Sequence, residues 1–202
     1  MVAVDFKLHM DNLTAGRRNR GKVTQTDISD FAPLGESALL SLLHSDIPVE
    51  RSCAAIHLQK YKTAFVADVL CRQLAVEKKL YTKISLCKTL AMCAEVSIDP
   101  LMGLLGKIGN NHETTLPETG FYKISYPLAR DIAARTICLI GNAAVLPLEN
   151  FINTAKDMKA LYQALDAYGH ILYTNKINRS SLLLQNLHKK HLNNNFSGEQ
   201  KN

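Results

Sequence analysis

Apolar residues recur at three- and four-residue spacing along most of this chain, interrupted by short polar turns. That period gathers apolar side chains on one face of a helix. It predicts helices over residues 35–44, 49–60, 63–74, 80–95, 98–108, 126–140, 144–154 and 157–173, and a last short amphipathic one over 181–192. Inward positions follow from the same period: Leu39, Leu40, Leu42 and Leu43 in the first helix, and Ala64, Phe65, Val66, Val69 and Leu70 in the third. In 80–95 they are Ile84, Leu86, Cys87, Leu90 and Ala91; in 157–173, Leu161, Leu165, Tyr168 and Leu172. Prolines punctuate the pattern: Pro48, Pro100 and Pro147 are each expected in a first helical turn, where the missing N–H has no intrahelical partner to lose.

The pattern also repeats. Ala133, Ala134, Thr136, Ile137, Leu139, Ala144, Val145, Pro147 and Leu148 match small or apolar residues at most positions when shifted back by 47 and by 80. The first two copies are therefore 33 apart, and the third is displaced by a polar segment around residues 110–123. A period in the thirties with a helix–turn–helix pattern marks an α-solenoid, whose units bury their apolar faces by stacking.

Residues 130–152, RDIAARTICLIGNAAVLPLENFI, resemble the HEAT repeat, in particular the short HEAT-like form of phycobilisome lyases. That form has an arginine opening its second helix, an Ala-Ala pair, a glycine at the helix end and an Ala-Val start to the next helix. Here these are Arg130, Ala133-Ala134, Ile140-Gly141 and Ala144-Val145. The copy at 49–70 has Arg51, Ala54-Ala55 and Leu58, with Gln59 at the glycine position; the copy at 79–101 has Lys83 for the arginine and Ala94 for the glycine. The resemblance implies an all-α fold, a right-handed α-solenoid of about four HEAT-like helical hairpins with a C-terminal capping helix. The repeats would span 34–174 with an insertion at 109–125, after a polar, partly flexible arm (1–33) and before a capping helix and disordered tail (175–202).

Composition narrows the function classes. At 202 residues and 47% apolar, the chain suits one domain with a real core. No apolar run approaches the roughly 20 residues of a membrane span, and residues 1–20 lack the apolar segment of a secretory signal. A cytoplasmic protein with no membrane association is expected. The five cysteines, Cys53, Cys71, Cys87, Cys93 and Cys138, are odd in number and irregularly spaced. They read as buried small hydrophobes rather than disulfide partners or metal ligands. Gly103, Gly106 and Gly109 lack the Lys-Ser/Thr signature and preceding strand of a phosphate loop, and instead suit close approach of a neighbouring helix. In the insertion, His112-Glu113 is similar to the His-Glu pairs of deoxyhypusine hydroxylase, a HEAT-like di-iron enzyme. That enzyme needs several such pairs on facing helices, and this chain has one in a loop, so no metal, cofactor or catalytic residue is expected. Phe121 and Tyr122 give the same loop an aromatic base.

The net charge of +6 permits an acidic partner. In HEAT-like solenoids the second helices line the concave face, and the resemblance places Lys60, Lys83, Lys88, Arg130 and Arg135 there. Lys83 with Arg130, and Lys88 with Arg135, are each 47 apart, so they are expected to form a basic stripe. A second basic cluster, Arg17, Arg18, Arg20 and Lys22, sits in the N-terminal arm. The leading expectation is a non-enzymatic scaffold that binds a protein or peptide partner on its concave face, with the insertion adding specificity. The alternative is a nucleic-acid-binding protein using the stripe and the arm, as HEAT-like DNA glycosylases bind a duplex. A lyase role by analogy with the phycobilisome proteins finds no bilin site in the sequence.

Overall fold

The computed structural model describes residues 14–107 and 129–177. The insertion residues His112, Glu113, Phe121 and Tyr122, and the expected capping helix at 181–192, lie outside them. Among the described residues the structure is all-helical, with no strand. After a helical turn at residues 14–18 come α1 (Gln25–Phe31), α2 (Glu36–Leu42), α3 (Pro48–Leu58), α4 (Ala64–Val76) and α5 (Leu80–Cys93). Then follow α6 (Glu95–Met102), α7 (Ala129–Ile140), a 3₁₀ turn (Gly141–Ala144), α8 (Val145–Thr154) and α9 (Met158–Thr174).

Consecutive helices pair as α2/α3, α4/α5, α6/α7 and α8/α9. The second members form a layer in which α3 packs on α5, α5 on α7 and α7 on α9; first members α4, α6 and α8 pack in turn beside it. Side-chain hydrogen bonds fix the register of α3 and α5. Thr82 Oγ1 donates to Pro48 O (3.1 Å) and Thr89 Oγ1 to Ala55 O (2.8 Å), pairs separated by 34 residues and close to the sequence offset of 33.

Local chemistry sets the boundaries. Thr63 Oγ1 accepts from Val66 N at 3.2 Å and Asp157 from Lys159 N at 2.9 Å, supplying N-caps for α4 and α9. Pro48 opens α3 as expected. Pro100 does not open α6: the helix starts at Glu95, so this proline lies inside it, and α6 ends two residues later at Met102. The link before α6 is fastened by Ser97, whose hydroxyl donates to Leu90 O (2.5 Å) and Ala94 O (2.8 Å). Each link between successive hairpins carries one residue at positive φ: Lys62 (34°), Ala94 (47°) and Gly141 (74°).

The core runs the length of the stack, from Leu39, Leu43 and Leu58 through Leu70, Leu86 and Leu90 to Ile137, Leu148 and Ile171. Three expected core residues face outward: Ala64, the first residue of α4, Phe65 and Ile84. Phe65 is 59% exposed, because the buried arc of α4 runs through Val66, Ala67, Leu70 and Leu74 and Phe65 falls to its side. Ile84 is 38% exposed, because α5 is enclosed by α3, α4, α6 and α7 and the line Ile84, Lys88 and Met92 is what remains open. Residues 129–154 are long and apolar enough to cross a membrane by length and composition; here their apolar stripe (Ala133, Ile137, Leu148, Ile152) is fully buried in the core.

Residues 14–33, the described part of the expected arm, pack against the hairpins. Gly21, at φ 90°, is buried where a Cβ would stand 2.3 Å from Thr82 Oγ1 and 2.8 Å from Ser52 Oγ. Tyr81 N donates to Arg20 O (2.9 Å), and His57 Nε2 lies 2.7 Å from Ile28 O. The close helix approach expected of the glycines occurs at Gly106. It is made by a left-handed turn (φ 77°) beyond the end of α6, not by a glycine face along a helix. A Cβ there would meet Ala160 N at 2.9 Å, and the Gly106 N–H donates to Gln163 Oε1 at 2.7 Å.

Candidate binding face

Part of the charge assigned to a surface stripe belongs to the interior. Arg51, at the motif's arginine position, donates from Nε and Nη2 to the Glu77 carboxylate (2.8 and 2.9 Å) and from Nη1 to Ser45 O (2.7 Å). It thereby ties α3 to the turn between α4 and α5. Glu77 is buried and also accepts from Lys78 N, Lys79 N and the Gln73 side-chain amide. Burial pushes the Glu77 carboxyl up, but Arg51, Lys79 N–H and Gln73 outweigh it and hold it below the usual carboxylate range. Lys83, expected on the accessible stripe, is 2% exposed. Its position on α5 turns inward because that helix has neighbours on nearly every side. Burial lowers the Lys83 ammonium from its ordinary value, and the Glu77 carboxylate opposes part of that shift.

The other stripe residues divide. Lys60 is exposed just past α3, with Nζ 3.2 Å from Leu34 O and 5.1 Å from the Tyr61 ring centre. Lys88 and Arg135 are exposed on α5 and α7, helices that pack side by side. Arg130 is half-buried; its Nε is 3.4 Å from Asp131 Oδ1 and has no hydrogen-bond partner among the described residues.

What the second helices present to solvent is mixed rather than basic. On α5 it is Ile84, Lys88 and Met92; on α7, Arg135 and Leu139, with Leu139 69% exposed; on α9, Tyr162, Asp166 and His170. Between α7 and α9 lies a groove of about 600 Å³. Its floor is made of small residues, Ala134, Cys138 and Ala167, where Cys138 Sγ approaches Ala167 O at 3.9 Å. Asp131, Arg135 and Leu139 line it from α7, and Gln163, Asp166 and His170 from α9. Gln163 is held in place by its bond from Gly106 N. Small side chains leave the furrow open, and the longer ones on either side give it charges of both signs.

The arm residues also separate. Arg18 makes a bidentate pair with Asp27 (2.7 and 2.9 Å), whose carboxylate also serves the Thr24 capping box. The Arg18 guanidinium holds the Asp27 carboxyl well below the usual range. Arg17, Arg20 and Lys22 remain exposed.

The thiols are not poised for chemistry. Burial pushes Cys53 and Cys87 up to about 11 and Cys71 up to about 12, and raises Cys93 and Cys138. A nucleophilic cysteine needs the opposite shift. Among the described residues no three His, Cys, Asp or Glu side chains gather as metal ligands.

No protein-family model matches the chain, and no curated protein or solved structure matches it.

Sequence reasoning missed Ile84, Met92, Leu139 and Tyr162 as surface residues and Gln163 and His170 as groove residues. The signal for the first group was present: Ile84, Lys88 and Met92 stand four apart, a line of their own beside the stripe that packs. The groove had no such signal, since it depends on which helices lie next to each other.

Proposed function

We propose that this chain is a non-enzymatic HEAT-like scaffold, a right-handed α-solenoid that binds a protein or peptide partner along the concave side of its second helices. The stacking of successive hairpins in two layers, the repeated positive-φ residue in each link and the sequence repeat support the scaffold reading. The observation that carries the binding reading is the row of exposed Ile84, Met92, Leu139 and Tyr162 across α5, α7 and α9. Large apolar side chains set among charges of both signs are the composition of a protein interface. A phosphate-binding surface would be uniformly basic. Here Asp131 and Asp166 share the groove with Arg135, and Lys83 is withdrawn into the core. This favours a protein partner over nucleic acid on this face.

The test compares wild type with Met92→Lys and Leu139→Lys, both at exposed positions, in quantitative affinity purification from the source cell. One or more proteins should be recovered by the wild type and lost from both folded variants. Identical recoveries, or none above a bait-free control, would overturn the proposal.

A further inference from the structure

The fold joins two basic segments that are far apart in sequence. The bond from Tyr81 N to Arg20 O (2.9 Å) holds residues 17–22 against the start of α5. Arg20 Cζ and Lys22 Nζ then lie 5.5 and 5.4 Å from the centre of the same Tyr81 ring. Lys78 and Lys79 immediately precede this helix, and Arg17 is on the N-terminal segment of the junction; Lys78 and Arg17 are exposed. The nearest carboxylates along each segment are already engaged. Asp27 is paired with Arg18, and Glu77 is buried against Arg51. Neither Arg20 nor Lys22 has a carboxylate partner among the described residues. Two exposed cations beside one ring, with no carboxylate partner, attract an anion.

We infer that residues 17–22 and the α4–α5 turn form one basic site, centred on Arg20, Tyr81 and Lys22, that takes the phosphate backbone of a nucleic acid. One large apolar side chain, Val76 at the end of α4, is exposed beside these segments, against four exposed cations, Arg17, Arg20, Lys22 and Lys78. What they offer is positive charge around an aromatic ring, the combination that tracks a phosphate backbone. This site adjoins the α5 end of the partner face, where Ile84 lies three residues from Tyr81, and is separate from the groove between α7 and α9.

The experiment is fluorescence anisotropy of the full chain with a short labelled single-stranded oligonucleotide and with its duplex, from about 50 to about 200 mM salt. The variants are Arg20→Gln/Lys22→Gln and, as a comparison at the groove, Arg135→Gln. Affinity should fall steeply with salt. The double variant should bind about tenfold or more weakly, and its single-strand salt slope should be shallower by about 1.4, two contacts at roughly 0.7 each. Arg135→Gln should bind like wild type, and circular dichroism melting should show all variants folded. If the double variant does not fold, Lys78→Gln/Lys79→Gln replaces it, with weaker binding expected. Absence of oligonucleotide binding, unchanged affinity in a folded variant, or binding of poly-glutamate in preference to both oligonucleotides overturns the assignment; the last outcome points to an acidic protein instead. None of these results bears on the Met92 and Leu139 variants, so the two proposals fail separately.

Discussion

Ala94 and Gly141, 47 residues apart, occupy the same place in successive links between hairpins, and both turn the chain through positive φ. The conformation is natural for glycine and strained for a residue with a Cβ. Ala94→Gly should therefore stabilise the fold by about 0.5–1 kcal/mol, net of the extra freedom glycine has when unfolded. Gly141→Ala should cost about 1 kcal/mol from backbone strain alone, since nothing lies within 4 Å of the added Cβ. Urea midpoints of the two variants, moving in opposite directions, check the equivalence.

In the Arg51–Glu77 pair the carboxylate is buried and the guanidinium half-buried, so removing Arg51 strands the Glu77 charge. Arg51→Met should destabilise by about 3–5 kcal/mol, and Arg51→Met with Glu77→Gln by much less, because the double change leaves no uncompensated charge. Denaturant melts of the single and double variants measure the difference.

The same pair sets a pH dependence. The folded Glu77 carboxyl lies below its unfolded value, which is about 4.3. The stability it contributes is present above that unfolded value and is lost as pH falls through the folded one. Wild-type melting temperature should drop as pH is lowered below about 4.3, and the drop should be smaller in the Glu77→Gln variant. A fall of equal size in both would exclude Glu77 as the group responsible.

Lys83 offers a sharper check on where the basic stripe ends. Lys83→Glu would bury a carboxylate in a position that already feels Glu77. A loss of about 3 kcal/mol or more is expected, enough to unfold a marginal domain. Lys88→Glu, five residues further along α5 and exposed, should change stability by less than about 0.5 kcal/mol. Thermal melts of the two variants decide whether these lysines differ as the structure requires.

Most helices were legible from period and punctuation. Thr63 and Pro48 mark their helix starts chemically, and each start fell within a residue of the expected one. Pro100 misled, because a proline tolerated late in a short helix looks the same in sequence as one in a first turn. The repeat offset of 33 anticipated a register that hydrogen bonds set at 34. The binding face was harder to read. Lys83 and Lys88 are both lysines on one helix, five positions apart, and only the number of helices around α5 makes one interior and the other surface. Arg20 and Lys22 stood out in the sequence as part of a basic cluster, but nothing there tied them to Tyr81; a single backbone bond brings the three together.

The enclosure of α5 carries a consequence for how the molecule holds together. Its neighbours α3, α4, α6 and α7 belong to three different hairpins, and Gly21 of the N-terminal segment rests on Thr82 as well. Each outer hairpin, by contrast, packs chiefly on the one beside it. Fraying can begin at either end without disturbing the opposite one, whereas loss of α5 removes packing from three hairpins at once. Amide protons of α5 should accordingly be the last to exchange with solvent, making this helix the keystone of the fold rather than one link among equals.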